Sequence, residues 1–452
     1  MTAREEREYT IGTLSYTRQA LLITLFWMLW ADLCLQIMES VTFVIPYQLV
    51  QLGASNATIG FIKDSLQAML AVVLVPFIGP QSDRHRGRLG RRIPYLLWCV
   101  APVCVFLVLL GLVEPIADRV HPVVRGLAPA LTVDGLAIGL IGIFATGFFI
   151  LNTYVVQVFS YLVADVVPRN VLGRFIGAFR AVGALGGFIF NRYLFQYVPT
   201  HVEWVYAGCA ALYGSAFLLL VWKVREGSYP PPPAPAPTRR RAVTDYFREC
   251  FGKVFYLKIY LTSLCFWSAT VPFNTFILLL ATDGGGGGSK GALGLTIAQF
   301  GDIRALTFLP KILMALAIGP LIDRWNVVSI AVIALALGSV LYVAGFFLVD
   351  SGASLTIWWL LSELVTMIFL VAYMAMMPQL LPANAYGQFS GANQMFFSAG
   401  LIVVPVLCGM LLDRFGDLRL LFVWCAGATA IGAGVANSLR RDWIARRPAH
   451  AD

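Results

Sequence analysis

Twelve long apolar runs constrain this chain more than any other feature. They fall at about 19–49, 57–80, 93–114, 132–163, 174–198 and 203–222, then 255–282, 296–322, 326–349, 354–381, 388–412 and 418–438. A helix needs about 20 mostly apolar residues to cross the hydrocarbon of a bilayer, and every run meets that length. Continuous apolarity selects helices, since the strands of a barrel alternate in polarity. Only 13% of the 452 residues are charged and 59% are hydrophobic, whereas about a quarter of a soluble protein is charged. The predicted fold is therefore all-α and integral to the membrane, with twelve transmembrane helices. Residues 1–18 are polar and mixed in charge. The run after them is too long for the core of a signal peptide, so it is read as the first span.

Between the sixth and seventh runs the composition changes. Residues 223–254 hold Pro230 to Pro233, Pro235, Pro237 and then Arg239, Arg240 and Arg241. Proline removes donors and favours extended backbone, so this stretch reads as a solvated linker. It separates a bundle over 1–222 from a second over 255–452. With the N-terminus placed inside, the inside loops collect the cations. They include Arg84, Arg86, Arg88, Arg91 and Arg92, the linker arginines, Arg324, and the tail residues Arg440, Arg441, Arg446 and Arg447. The opposite side has only Arg119, Arg125, Lys290, Arg414 and Arg419. That bias puts both termini and the linker in the cytoplasm. With the basic tail and no targeting segment, it points to a bacterial inner membrane.

The net charge of +9 thus sets topology and does not imply nucleic acid. The eight cysteines form no C-x-x-C pair, and all four histidines fall outside the apolar runs. No metal site, disulfide framework or nucleophile constellation is therefore expected. The run Gly284 to Gly288 lacks the ordered Lys and Ser/Thr of a phosphate-binding loop. An enzyme and an ATP-driven pump are both disfavoured, and no cofactor is expected beyond a coupling ion.

The two halves echo each other. Gly79-Pro80-Gln81-Ser82-Asp83-Arg84 closes the second run, and Gly319-Pro320-Leu321-Ile322-Asp323-Arg324 closes the eighth. Asp165, Pro168, Gly173, Arg174, Phe175 and Gly177 are matched by Gln379, Pro382, Gly387, Gln388, Phe389 and Gly391 at the equivalent place. Two such echoes argue for parallel six-helix repeats. The stretch Gly79 to Arg92, with Asp83, Arg84, Gly90, Arg91 and Arg92, resembles the loop pattern of the major facilitator superfamily. Its version from Ser82 to Tyr95 is most similar to the sucrose-type and glycoside–pentoside–hexuronide cation symporters. The resemblance implies the major facilitator fold of two six-helix bundles. It also implies a cytoplasmic latch in which Asp83 pairs with Arg91 or caps a neighbouring helix, and an acidic and basic pair of Asp165 with Arg174. The second run lacks the paired aspartates of a sodium-coupled melibiose-type site, which speaks against sodium.

Ionisable groups inside a bilayer cost at least about 2.5 kcal/mol, so each needs a function or a partner. Asp32, Gln36 and Glu39 share one face of the first run. A desolvated carboxylate there can bind a proton or a solute hydroxyl. The seventh run places Ser263, Trp267, Thr270 and Asn274 on one face, an aromatic plane flanked by polar edges of the kind a sugar ring needs. The tenth offers Glu363 and Tyr373, and the fourth Asn152, Tyr154 and Gln157. Runs one, four, seven and ten line the cavity in the family this chain resembles, and they carry much of the polarity here. Lys63 with Asp64, and Asp302, Arg304 and Lys311, read as interhelical pairs. Arg180 is a candidate for pairing or for binding an anionic solute.

These features predict a monomeric secondary transporter that moves a small polar solute, a sugar or glycoside, by alternating access. Protons would act at Asp32, Glu39 or Glu363. An uncoupled carrier or exporter of amphipathic compounds and a non-transporting scaffold on the same fold are the alternatives. The solute and the lipid bilayer are the expected partners.

Overall fold

The computed structural model describes residues 9–87, 89–126, 128–228, 246–282, 290–317, 326–382 and 386–446. Ten helical stretches among them are long and apolar enough to cross a membrane. Ten stretches carry the twelve runs for two reasons. The stretch Asn170–Lys223 has 54 residues, which at 1.5 Å per residue is roughly 80 Å, more than two bilayer cores. It turns at a π turn, Phe190–Leu194, a 3₁₀ turn, Phe195–Tyr197, and non-helical backbone at His201, so it holds runs five and six. The eighth run is described as two shorter pieces, Ile297–Leu306 and Phe308–Ala317.

The contacts divide the chain into two units. One is Met1–Ala54 with Leu70–Pro233, and the other is Ser55–Met69 with Ala234–Asp452. In the first unit α1 is Arg18–Val41, α2 Val44–Gln51, α4 Leu66–Arg84, α5 Ile93–Gly111, α6 Val113–Val124, α7 Val133–Val166, α8 Arg169–Ile189 and α9 Val198–Lys223. The short α3, Asn56–Gly60, and a π turn, Phe61–Ser65, precede α4 and group with the second unit. There α10 is Val254–Ala281, α11 Ile297–Leu306, α12 Phe308–Ala317, α13 Val327–Leu348, α14 Gly352–Leu380, α15 Tyr386–Phe415 and α16 Leu420–Arg446.

Each unit has the same neighbour map. In the first, α1 packs on α8 and α9, while α5 packs on α7 and α9. In the second, α10 packs on α15 and α16, while α13 packs on α14 and α16. The echo running from Asp165 to Gly177 and from Gln379 to Gly391 therefore falls between helices with equivalent neighbours, while Gly319 to Arg324 lies outside the described residues. Helix starts follow local chemistry. Thr17, Thr132, Thr296 and Ser351 each accept a backbone N–H in the first turn of the helix they precede.

Two local features depart from an all-helical reading. Tyr9–Ile11 and Leu14–Tyr16 form a small antiparallel hairpin, with Tyr9 opposite Tyr16 and Gly12 in its turn at φ +55°. The start of the segment read as a solvated linker is docked instead. Val224 is buried, Glu226 binds the start of α5, and the Ser228 N–H donates to Thr13 Oγ1 at 2.8 Å. Asp323 and Arg324, the second half's counterpart of the latch, lie outside the described residues.

Candidate functional site

In the first unit the polar side chains gather on α1 and the helices against it. Asp32 is 1% exposed. Gln36 lies one turn on and the Arg180 guanidinium of α8 acts on the carboxylate electrostatically. Among the described residues no donor meets strict hydrogen-bond geometry at either Asp32 oxygen, although the Gln36 amide lies close enough to act on the carboxylate. Helix α8 can come this close because it presents glycines. A Cβ at Gly186 would sit 2.7 Å from Leu33 O, and one at Gly183 would sit 3.1 Å from Asp32 Oδ2. Two turns along α1, Glu39 accepts from buried Asn152 Nδ2 at 2.5 Å. Tyr154 donates to Gln81 Oε1 at 3.3 Å, and Gln157 shares its half-buried face on α7.

In the second unit α10 is buried nearly all round. From residue 259 onward its half-open positions are 261, 264, 267, 270, 271 and 274, a stripe at helical spacing. Trp267, Thr270 and Asn274 therefore share an accessible face. The Trp267 ring stacks on Phe397 with centroids 5.8 Å apart. Thr270 and Asn274 donate to backbone carbonyls one turn back. Ser263 shares the helical angle but is not accessible: it is fully buried and bonds Ile259 O. Glu363 is buried and ion-paired with Lys311 of α12 at 3.2 Å, and Arg304 also acts on it. The Tyr373 hydroxyl accepts from Asn393. Lys63 and Asp64 lie 3.7 Å apart on the π turn, and Thr275 of α10 donates to Asp64 at 2.5 Å. Their partners thus come from their own unit.

The loop between α4 and α5 is a charge network. Arg91 holds Asp165 through two hydrogen bonds, of 3.1 and 2.6 Å, and Arg92 adds a third at 3.1 Å. Arg92 also pairs with Asp83 at 2.5 Å, bonds Ser82, and lies over the Tyr161 ring. Arg91 approaches Asp83 to 3.4 Å. Gly79 brings the end of α4 against the Tyr161 hydroxyl, 3.5 Å from where a Cβ would stand. Asp165 thus takes Arg91 and Arg92 as partners and not Arg174, which is exposed, as is Arg84. Gly90 turns the chain at φ +104°, a conformation that favours glycine.

The family model described as Major Facilitator Superfamily matches residues 20–292 and 288–448. The chain belongs to the Major Facilitator Superfamily. Among solved structures it resembles a mutant of the nucleoside transporter NupG, at 13% identity and TM-score 0.70, over 93% of this chain and 99% of that one. It resembles a bacterial homologue of the ferroportin iron transporter at 15% identity and TM-score 0.67, over 93% and 99%. A bacterial homolog of the human lysosomal transporter Spinster gives 14% identity and TM-score 0.66, over 96% and 100%. At such identities the likeness establishes the fold and no substrate. This superfamily member is an integral membrane transporter for small-molecule solutes and not an enzyme.

Sequence reasoning missed two carboxylates that organise this transporter. Glu226 accepts the backbone N–H groups of Arg91, Arg92 and Ile93 at 2.9, 2.8 and 2.7 Å, capping α5. Asp413 on α15 accepts from Asn56 N, Asn56 Nδ2 and Ala57 N at 2.9, 2.8 and 3.0 Å, capping α3. Both sit just past apolar runs, where an acidic residue carries no periodic signal. Only their position near a helix start in space reveals the role.

Proposed function

We propose that this transporter carries a small polar solute, a sugar or glycoside, by alternating access coupled to protons, with Asp32 as the proton site. The observation that supports this is a buried carboxylate near the middle of a spanning helix whose neighbours among the described residues, Gln36 and Arg180, leave both oxygens short of strict hydrogen-bond geometry. Such a group gains a partner when it takes up a proton or a solute hydroxyl. Glu39 is the second candidate. Glu363 is the third, since its charge is already met by Lys311. Within the first unit, Gln36, Asn152, Tyr154 and Gln157 are the candidates for hydrogen bonds to a solute. Within the second, taken by itself, Trp267, Thr270, Asn274 and Tyr373 are candidates as an aromatic plane with polar edges.

The network of Asp83, Arg91, Arg92 and Asp165 is read as a switch on the cytoplasmic side that changes partners during the cycle. Both termini face the cytoplasm in this reading, and the protein works as a monomer in a bacterial inner membrane.

The test is uptake of labelled sugars into proteoliposomes, with and without an inward proton gradient, by wild type and Asp32→Asn. Gradient-driven accumulation that the variant loses is the expected result. Uptake that ignores the gradient would point to an uncoupled carrier, and no flux of any solute to a non-transporting role.

A further inference from the structure

Arg180 stands near the middle of α8, inside a spanning segment, and is exposed. Among the described residues it makes no hydrogen bond or ion pair; its electrostatic partner is Asp32, which it does not touch in hydrogen-bond geometry. A guanidinium at that depth is costly and is retained where something answers its charge. Two other membrane-depth cation–carboxylate pairs are in direct contact: Lys63 with Asp64 and Lys311 with Glu363. Around Arg180 the helix is stripped of bulk. Gly173 and Gly177, on the same open stripe of α8, have nothing within 4 Å of where a Cβ would stand. A planar donor fork with open room beside it is suited to a carboxylate or phosphate.

We propose that the transported solute carries an anionic group that Arg180 receives, so that the substrate class is a polyhydroxylated organic acid, such as a sugar acid or sugar phosphate. This rests on the proton-coupled reading of Asp32 and deepens it. With Asp32 ionised, the charge of Arg180 is partly answered and an arriving anion meets a second negative charge. With Asp32 protonated, the repulsion is gone and Arg180 needs an anion. Anion and proton therefore favour each other's binding, and the linkage is reciprocal. The groups around Asp32 allow this. Arg180 is the charge that bears on it from α8, Glu39 is two turns away on α1, and α9 brings Tyr213 beside Glu39.

The test uses purified full-length protein and thermal-shift titrations with D-glucuronate, D-gluconate and glucose 6-phosphate, and D-glucose as the neutral control. Wild type should bind at least one of the acids about 5- to 150-fold more tightly at about pH 5.5 than at about pH 8, the range of typical coupling energies. Arg180→Gln should weaken that acid about tenfold or more, the loss expected for a charge-assisted bond, while Arg180→Lys keeps part of the affinity. Asp32→Asn should bind the acid equally at both pH values. Acids that bind no better than glucose, or bind Arg180→Gln as well as wild type, would overturn the anion assignment. If glucose is then still accumulated on a proton gradient and Asp32→Asn abolishes it, the coupled-transport reading survives that failure.

Discussion

Replacing Glu226 gives the most direct measure of what holds the loop network together. Its carboxylate takes three backbone N–H groups at the start of α5, a helix with no side-chain cap of its own at Arg92. A hydrogen bond to a charged group contributes about 1.5–3 kcal/mol net, and an anion at a helix N-terminus about 0.3–1 kcal/mol more. The bonds share one acceptor and water can reach a half-buried loop, so the three together are worth about 2–4 kcal/mol rather than their sum. Glu226→Ala removes all of it. Glu226→Gln keeps one oxygen but turns an N–H₂ toward a backbone N–H, and should lose at least half. In a unit of this size each kcal/mol moves the melting midpoint by about 2–4 °C, so Glu226→Ala should melt roughly 5–15 °C lower. A thiol-reactive dye reports this well, since seven of the eight free cysteines are buried and Cys104 is half-buried. The loop arginines should loosen with the cap, because the bonded amides are those of Arg91 and Arg92 themselves. If both variants melt within about 1 °C of wild type, the cap contributes nothing at the scale of a helix N-cap and the reasoning fails.

Other perturbations follow from single contacts. Gly186→Ala drives a Cβ to 2.7 Å from Leu33 O and should cost about 1–3 kcal/mol of stability by overpacking, read as a lower melting midpoint. Lys311→Met leaves the Glu363 carboxylate without its 3.2 Å partner and should destabilise by about 1–3 kcal/mol, less than a fully buried pair because Lys311 is partly exposed. Adding Glu363→Gln should recover most of that loss in a double-mutant cycle, and simple additivity would refute the pairing. Asp413→Ala removes three hydrogen bonds to Asn56 and Ala57. It should raise proteolysis or hydrogen exchange of residues 55–60 selectively, with a loss of about 1–2 kcal/mol. Among the described residues the buried Tyr16 hydroxyl has no hydrogen-bond partner, so Tyr16→Phe should leave the midpoint unchanged or raise it, since an unmet hydroxyl costs about 1–3 kcal/mol.

The apolar runs were legible because a bilayer imposes one length on every spanning helix, and the repeats because their echoes fall at equivalent turns. Partners in the loops were less legible. Asp165 had Arg174 nine residues away and took Arg91 and Arg92 instead, a choice set by how α7 packs on α5 and not by spacing. Glu226 lies more than 130 residues from the amides it caps, in a segment whose proline content pointed to solvent. Ser263 lies at the same helical angle as Thr270 and Asn274. It is nonetheless fully buried, because nearer the start of α10 that face is covered: its hydroxyl bonds Ile259 O and lies against Tyr373. The N-terminal hairpin left a weak trace, alternation about Gly12 and Thr13, but strands of three residues are too short for period alone to separate from a polar tail.

The charges that sequence reasoning singled out divide by how well they are met. Lys311–Glu363, Lys63–Asp64–Thr275 and Asn152–Glu39 each sit in direct contact within one unit. A contact already made offers a ligand little, because a ligand shifts an equilibrium only by its differential affinity for the two states. Asp32 and Arg180 are different. They feel each other without bonding, one buried and one open. A proton on the first or an anion on the second changes the local energy most where the resting arrangement satisfies it least. In the proton-coupled reading proposed above, the free energy for coupling lies at the α1–α8 crossing, where Gly183 and Gly186 allow the two helices to meet.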